Sequence, residues 1–218
     1  MFTTDKLYDF SHSMAGDYLL QFTYPWEALK GISDLILALG ENLSKDEYTE
    51  VFPTVWVHNT ATVAPTAYLG AKTIIGANTE VRHGAFIRGS ALVGENCVVG
   101  NSVELKNVIL FDNVQVPHYN YVGDSILGYK AHMGAGSVTS NVKSDKSLVV
   151  IHGDVQIPTG LKKVGAMLGD FVEVGCNSVL NPGTVIGRSS NVYPLSCVRG
   201  VVPEGSIWKT GGVIVEKF

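Results

Sequence analysis

A chain of 218 residues with 45% hydrophobic and 17% charged residues carries too much apolar material and too little charge to stay disordered. Its net charge of −4 argues against a broad basic nucleic-acid surface. The three cysteines, Cys97, Cys176 and Cys197, are odd in number and lack CxxC spacing, so they read as reduced thiols of a cytoplasmic protein.

The opening Met1-Phe2-Thr3-Thr4-Asp5-Lys6 lacks the basic-then-apolar pattern of a signal peptide. Residues 1–25 show no clear period, and only a short strand at Tyr18 to Phe22 is expected there. Pro25 suits the first position of a helix. Trp26, Leu29, Ile32, Leu35, Ile36 and Leu39 then recur at helical spacing, which predicts a helix over 25–40 with one apolar face. The run Leu35 to Leu39 is far shorter than the ~20 residues of a membrane span. Residues 1–50 thus read as an N-terminal extension and 51–218 as the main domain.

From Val57 the main domain repeats every six residues. Bulky residues recur at Val57, Val63, Leu69, Ile75, Val81, Ile87, Val93, Val99, Leu105 and Phe111, and Pro117 follows as an exception. Glycine stands directly after the starts at 70, 76, 94 and 100. A second run takes in Leu168, Val174, Leu180, Ile186, Val192 and Val198. Six fits neither a helix nor a continuous strand. It does fit short strands joined by turns, three to a coil, stacked as a solenoid around one core.

Two irregularities interrupt the repeat. Between Pro117 and Leu127 there are ten residues where two hexads need twelve. Residues 139–167 fit no hexad, and a long excursion from a compact repeat usually carries function. The end, Ile207 to Phe218 with Gly211-Gly212 as its bend, is expected to close the open coil edge.

The hexads resemble those of the left-handed parallel β-helix acyltransferases, so the expected fold is mainly β, a hexapeptide-repeat solenoid with a helical N-terminal extension. The left hand is implied by the resemblance alone. Arg88, Val103-Glu104-Leu105-Lys106-Asn107, His118-x-x-Tyr121-x-Gly123-Asp124 and Met133-Gly134-Ala135 through Asn141 occur in that order. They are similar to the acetyltransferase half of the bifunctional enzymes that make UDP-N-acetylglucosamine, a half that acetylates glucosamine-1-phosphate with acetyl-CoA. The similarity covers roughly residues 57–200. The nucleotidylyltransferase half has no counterpart in residues 1–56.

The residues suit that chemistry. Acetyl transfer to an amine needs a proton acceptor, and His118 is the candidate general base, at the position the resemblance implies. Glu104 is a candidate to orient or polarise this site, or to hydrogen-bond a sugar hydroxyl. Arg88 and Lys106 lie eighteen residues apart, one coil of three hexads, and so stack as a phosphate clamp. Tyr121 matches a substrate-binding tyrosine. His132 stands where the family commonly has an asparagine that touches the sugar. The resemblance further implies acetyl-CoA contacts at Ala135, Asn141, Cys176 and near Tyr193, in a groove between subunits of a homotrimer. Lys163, ahead of Lys146, is the excursion's candidate for CoA phosphates or substrate. No metal is expected, since the closely spaced His-x4-His pair of the γ-class carbonic anhydrases is absent. A hexapeptide acyltransferase with another sugar acceptor and a non-catalytic sugar-nucleotide-binding module remain open.

Overall fold

The computed structural model describes residues 2–217. Parallel strands stack in register along three faces of a β-helix. The first face runs from Val55–His58 through Thr73–Ile75 and Ala91–Val93 up to Thr184–Ile186 and Val201–Val202. The second runs from Thr62–Val63 through Gln115–His118 to Ser206–Lys209, and the third from Tyr68–Leu69 to Cys197–Val198. One aliphatic side chain per strand points inward, and these fill a dry axis: Ile75, Val81, Ile87, Val93, Val99 and Leu105 are 0–1% exposed. Where glycine follows the inward residue, as at Gly76, Gly94 and Gly100, it lets coils approach. A Cβ on Gly100 would drive into the Pro117 backbone of the next coil.

The corners are left-handed. Asn78, Asn96 and Asn113 have φ of 55°, 53° and 61° and occupy one corner on successive coils. Asparagine tolerates this conformation better than most residues. A second corner carries Ser102 and Tyr119, and a third carries Lys72, Ser90, Asn107 and Asp124, all at positive φ.

The break in the repeat differs from its sequence-based placement. Leu105 is followed inward by Leu110 and Val116, not by Phe111 and Pro117; Leu110 pairs with Val93 and Val116 with Val99. Val122 is then followed by Leu127, which pairs with Leu110. Two successive coils are therefore each seventeen residues long, and both lose their residue at the third corner. There the pair Gly89-Ser90 gives way to Asn107 alone, then to Asp124 alone. Strands Glu104–Leu110 and Tyr121–Leu127 pass through the corner without interruption.

The excursion is a hairpin. Thr139 is still part of the wall, pairing with Leu180. The chain then leaves, pairs Val150–His152 with Gln156–Pro158, and returns at Ala166–Leu168. Val149 and Ile151 are buried and pack over Gly183. At the end, Val213–Glu216 folds back antiparallel on Ser206–Lys209, with Gly211 and Gly212 at positive φ; Phe218 lies outside the described residues.

The extension straps onto the first face. No strand forms at Tyr18 to Phe22; Gly16–Leu19 is a short helix. The apolar stripe lies on a 3₁₀ segment, Pro25–Gly31, that continues as an α-helix, Ile32–Asn42, rather than on one helix over 25–40. Trp26, Leu29, Ile32 and Ile36 are buried, with the helix against the first-face strands and the 3₁₀ segment against Tyr121–Leu127. Tyr8 packs on Phe111 at 5.1 Å between ring centroids. Further up, the buried Asp170 carboxylate accepts the Asp9 N–H at 2.7 Å and the Tyr129 N–H at 2.8 Å, and pairs with Arg188 at 2.7 Å. No helix among the described residues is long and apolar enough to cross a membrane.

Cys97 is buried in the wall, and burial pushes its thiol up to about 12. Cys176 and Cys197 are exposed. The thiolate is the reactive form, so a maleimide should modify Cys176 and Cys197 in the native chain and reach Cys97 only in denaturant. Peptide mass spectrometry checks this, and native labelling of Cys97 would contradict its placement.

Candidate active site

Two ridges flank the third face. The first is the corner bearing His118, which lies at the end of strand Gln115–His118, exposed, with no side-chain hydrogen bond among the described residues. Above it come Ala135 and then Cys176, because Gly136 N–H bonds His118 C=O and Asn177 N–H bonds Ala135 C=O. The N–H groups of Ala135 and Cys176 have no partner among the described residues. Tyr193 stands one coil further up, 44% exposed.

The second ridge is the third corner, with Arg88 and Lys106 on adjacent coils. The register Leu105↔Ile87 puts the two cations one above the other, as their spacing predicts. Neither is unpaired. Arg88 Nη1 donates to Glu104 Oε1 at 2.8 Å, and Lys106 Nζ to Asp124 at 2.8 and 3.1 Å. The pair Lys106–Asp124 is the more sheltered, with side chains 28% and 5% exposed. An exposed pair such as Arg88–Glu104 holds its partner weakly, which leaves the guanidinium available to a stronger anion.

Tyr121 and Asn141 complete this ridge. Asn141 Nδ2 donates to the Tyr121 hydroxyl at 3.1 Å and to Asp124 Oδ2 at 2.6 Å. Gly123 makes room, since a Cβ there would collide with the Tyr121 hydroxyl. Burial first, then the Asp124 charge, raises the Tyr121 pKa. The hydroxyl therefore stays protonated, accepts from Asn141 and keeps its own proton to donate.

Between the ridges, the third face presents Glu104, Tyr121, Val138 and Val179 in one stacked column. His118 and Tyr121 are three residues apart, on either side of the left-handed corner at Tyr119. Glu104 faces Arg88 and makes no bond to His118. Lys163 is exposed at the hairpin base, bridged to Val142 and so close to Asn141 in the fold. Lys146 lies out on a turn at φ 59°.

His132 is not brought to the second ridge. It lies on the second face, stacked between Gln115 and Glu173, with Nδ1 at 2.7 Å from Glu173 Oε2. Among the described residues no group of three His, Cys, Asp or Glu side chains is gathered to hold a metal ion.

Asp124 is the residue that the motif reading left without a role. It and Asn107 both stand at left-handed corners, and Asn141 occupies the same corner one coil on. Positions 107, 124 and 141 are seventeen apart, a spacing that could have pointed to the stack in the sequence.

Residues 79–186 match the family model described as the GMPPB C-terminal domain. Over about half its length the chain is similar to bifunctional sugar-nucleotide enzymes. It is 31% identical over 116 residues to the bifunctional protein GlmU of Methanococcus maripaludis, a match covering 52% of this chain and 28% of that protein. It is 32% identical over 107 residues to the bifunctional sugar-1-phosphate nucleotidylyltransferase/acetyltransferase of Sulfurisphaera tokodaii, covering 49% and 27%. The matches span less than a third of these relatives' length. A hexapeptide transferase family protein from Anaplasma phagocytophilum aligns with 75% of this chain and 80% of its own at 18% identity and a TM-score of 0.44.

Proposed function

We propose that the chain is an acetyl-CoA-dependent N-acetyltransferase acting on an amino-sugar-1-phosphate. The observation that carries this reading is the stack of Arg88, Lys106, Tyr121 and Asn141 on one ridge, across the third face from the exposed His118. The acetyltransferase named in the Sulfurisphaera relative supports it. So does the agreement in order and spacing of Arg88, Lys106, His118 and Tyr121 with the family's motif.

Arg88, Lys106 and the Tyr121 hydroxyl supply two cations and a neutral donor for a phosphate dianion. The amine nitrogen attacks the thioester carbonyl. His118 takes the amine proton, the new C–N bond forms, the C–S bond breaks, and the proton passes to the departing CoA sulfur. The unpaired N–H groups of Ala135 and Cys176 are suitable donors for the tetrahedral oxyanion. A homotrimer fits the outer column of the third face, where Tyr68 and Phe86 are 58% and 44% exposed and would bury against a second copy. Operation in the cytoplasm, where acetyl-CoA is made and thiols stay reduced, completes the reading.

The test is thiol release from acetyl-CoA with glucosamine-1-phosphate, galactosamine-1-phosphate and a nucleotide-linked amino sugar as acceptors. Turnover with a sugar-1-phosphate is expected. Turnover only with the nucleotide-linked sugar would move the acceptor to that class. No thiol release and no acetyl-CoA binding by calorimetry would leave a non-catalytic module.

A further inference from the structure

We propose that Asp124 is a positioning residue that fixes Lys106 and Asn141 in the site and, through Asn107, ties them to the N-terminal extension. The proposal rests on the acetyltransferase reading, which gives Lys106 and Asn141 their roles. Its own basis is geometric. Asp124 is 4% exposed and stands at φ 48°, a left-handed backbone that a short polar side chain tolerates. A buried carboxylate must be met by donors. Asp124 meets four contacts from three residues on the coils directly below and above it: Lys106 Nζ at 2.8 and 3.1 Å, Asn107 Nδ2 at 2.9 Å and Asn141 Nδ2 at 2.6 Å.

Each donor is held by geometry that the two short coils create. Losing one residue at the third corner on both coils stacks Asn107 directly beneath Asp124, and the next coil stacks Asn141 above it. Asn107 Nδ2 also donates to the Leu29 carbonyl at 3.2 Å. A continuous path therefore runs from the Leu29 carbonyl through Asn107, Asp124 and Asn141 to the Tyr121 hydroxyl. Lys106 branches from its centre. The extension, far from the chemistry in sequence, becomes the floor on which the anion-binding lysine and the acetyl-CoA-side amide are set.

The roles of Asp124 and the extension are separable by experiment on the full chain. Asp124→Asn keeps the shape, removes the charge, and turns an amide nitrogen toward one of its former donors. It is expected to raise the acceptor KM at least tenfold. In a double-mutant cycle with Lys106→Met, the double variant should lose at least threefold less kcat/KM than the product of the two single losses, the remainder being the part of the effect that runs through Asn141. Asp124 as a merely structural residue would instead make the two losses multiply, and that result would overturn the proposal. Asn107→Gly preserves the left-handed corner and removes both the Leu29 link and the Asp124 contact; a three- to tenfold rise in KM is expected, and unchanged kinetics would remove Asn107 and with it the extension from the proposal.

A native chain that turns over no acceptor would defeat the functional reading, and the positioning role would then be read without turnover. In both Asp124→Asn and Asn107→Gly, acetic anhydride labelling of Lys106 relative to the exposed Lys162 should rise at least threefold by peptide mass spectrometry. Unchanged labelling in both variants would overturn it. Should Asp124→Asn fail to fold, Asn107→Gly carries both measurements.

Discussion

Replacing His118 by alanine is expected to lower kcat by about 10²–10⁴-fold, the usual worth of a positioned general base. The acetyl-CoA affinity and the thermal midpoint should stay near native. The separation is expected because the His118 side chain is exposed and makes no hydrogen bond within the described chain. Exposed substitutions of this kind typically change stability by within about 0.5 kcal/mol. Thiol release measures the rate, calorimetry the cofactor and scanning calorimetry the fold. An unchanged rate would remove His118 as the base; a collapse of both rate and midpoint would make it structural. Added imidazole should restore part of the rate only if a proton acceptor is what was lost.

Trp26→Ala should be the most damaging single truncation in the extension. Trp26 is 1% exposed and belongs to the segment packed on Tyr121–Leu127. Removing a buried tryptophan side chain costs about 3–5 kcal/mol through lost burial and the cavity left behind. The β-helix keeps its own axis of aliphatic residues, so the loss should fall on docking of the extension. The expected result is trypsin cleavage at the exposed Lys30 and Lys45 while the solenoid resists. Near-native resistance at both sites would show that the extension is held by other contacts. Because Leu29 lies three residues on, the same variant should also raise KM.

The repeat was legible because each inward position must be aliphatic and several are followed by a glycine that leaves room for the next coil. Leu105 and Leu127 were read correctly, and the positions between them were not. Phe111 is fully buried, as an inward residue would be, but it packs outward under Tyr8 of the extension. A hydrophobicity pattern registers burial and not its direction, so Phe111 displaced Leu110 and the phase ran one residue late to Pro117. The helix over 25–40 failed differently. Its spacing was helical, yet Pro25–Gly31 tightens to 3₁₀ against Tyr121–Leu127. Short 3₁₀ turns are common at helix starts.

Part of the candidate site was readable for the same reason. Coil length put Arg88 over Lys106, and sequence adjacency put Tyr121 beside Asp124. What stayed hidden was the pairing of each cation with a carboxylate, because that depends on which side chains a seventeen-residue coil stacks. His132 shows the limit from the other side: motif order placed it with the sugar, and its ring instead meets Glu173 on another face.

The hairpin between Asn141 and Gly165 has a consequence for how such chains can be altered. It leaves and rejoins the wall at points already closed, with the Val164 N–H on the Asn141 carbonyl at 3.0 Å and the Gly165 N–H on the Asp124 carbonyl at 2.8 Å. Its length is thereby uncoupled from the pitch of the coils. Doubling a flexible loop costs only about 0.6 kcal/mol in closure entropy, whereas a change of even one residue in a coil must be absorbed at a corner, as at Asn107 and Asp124. This position is a splice port. Hairpins of different length and chemistry can be exchanged between 142 and 163 beside the acceptor ridge, while the coils above keep their register.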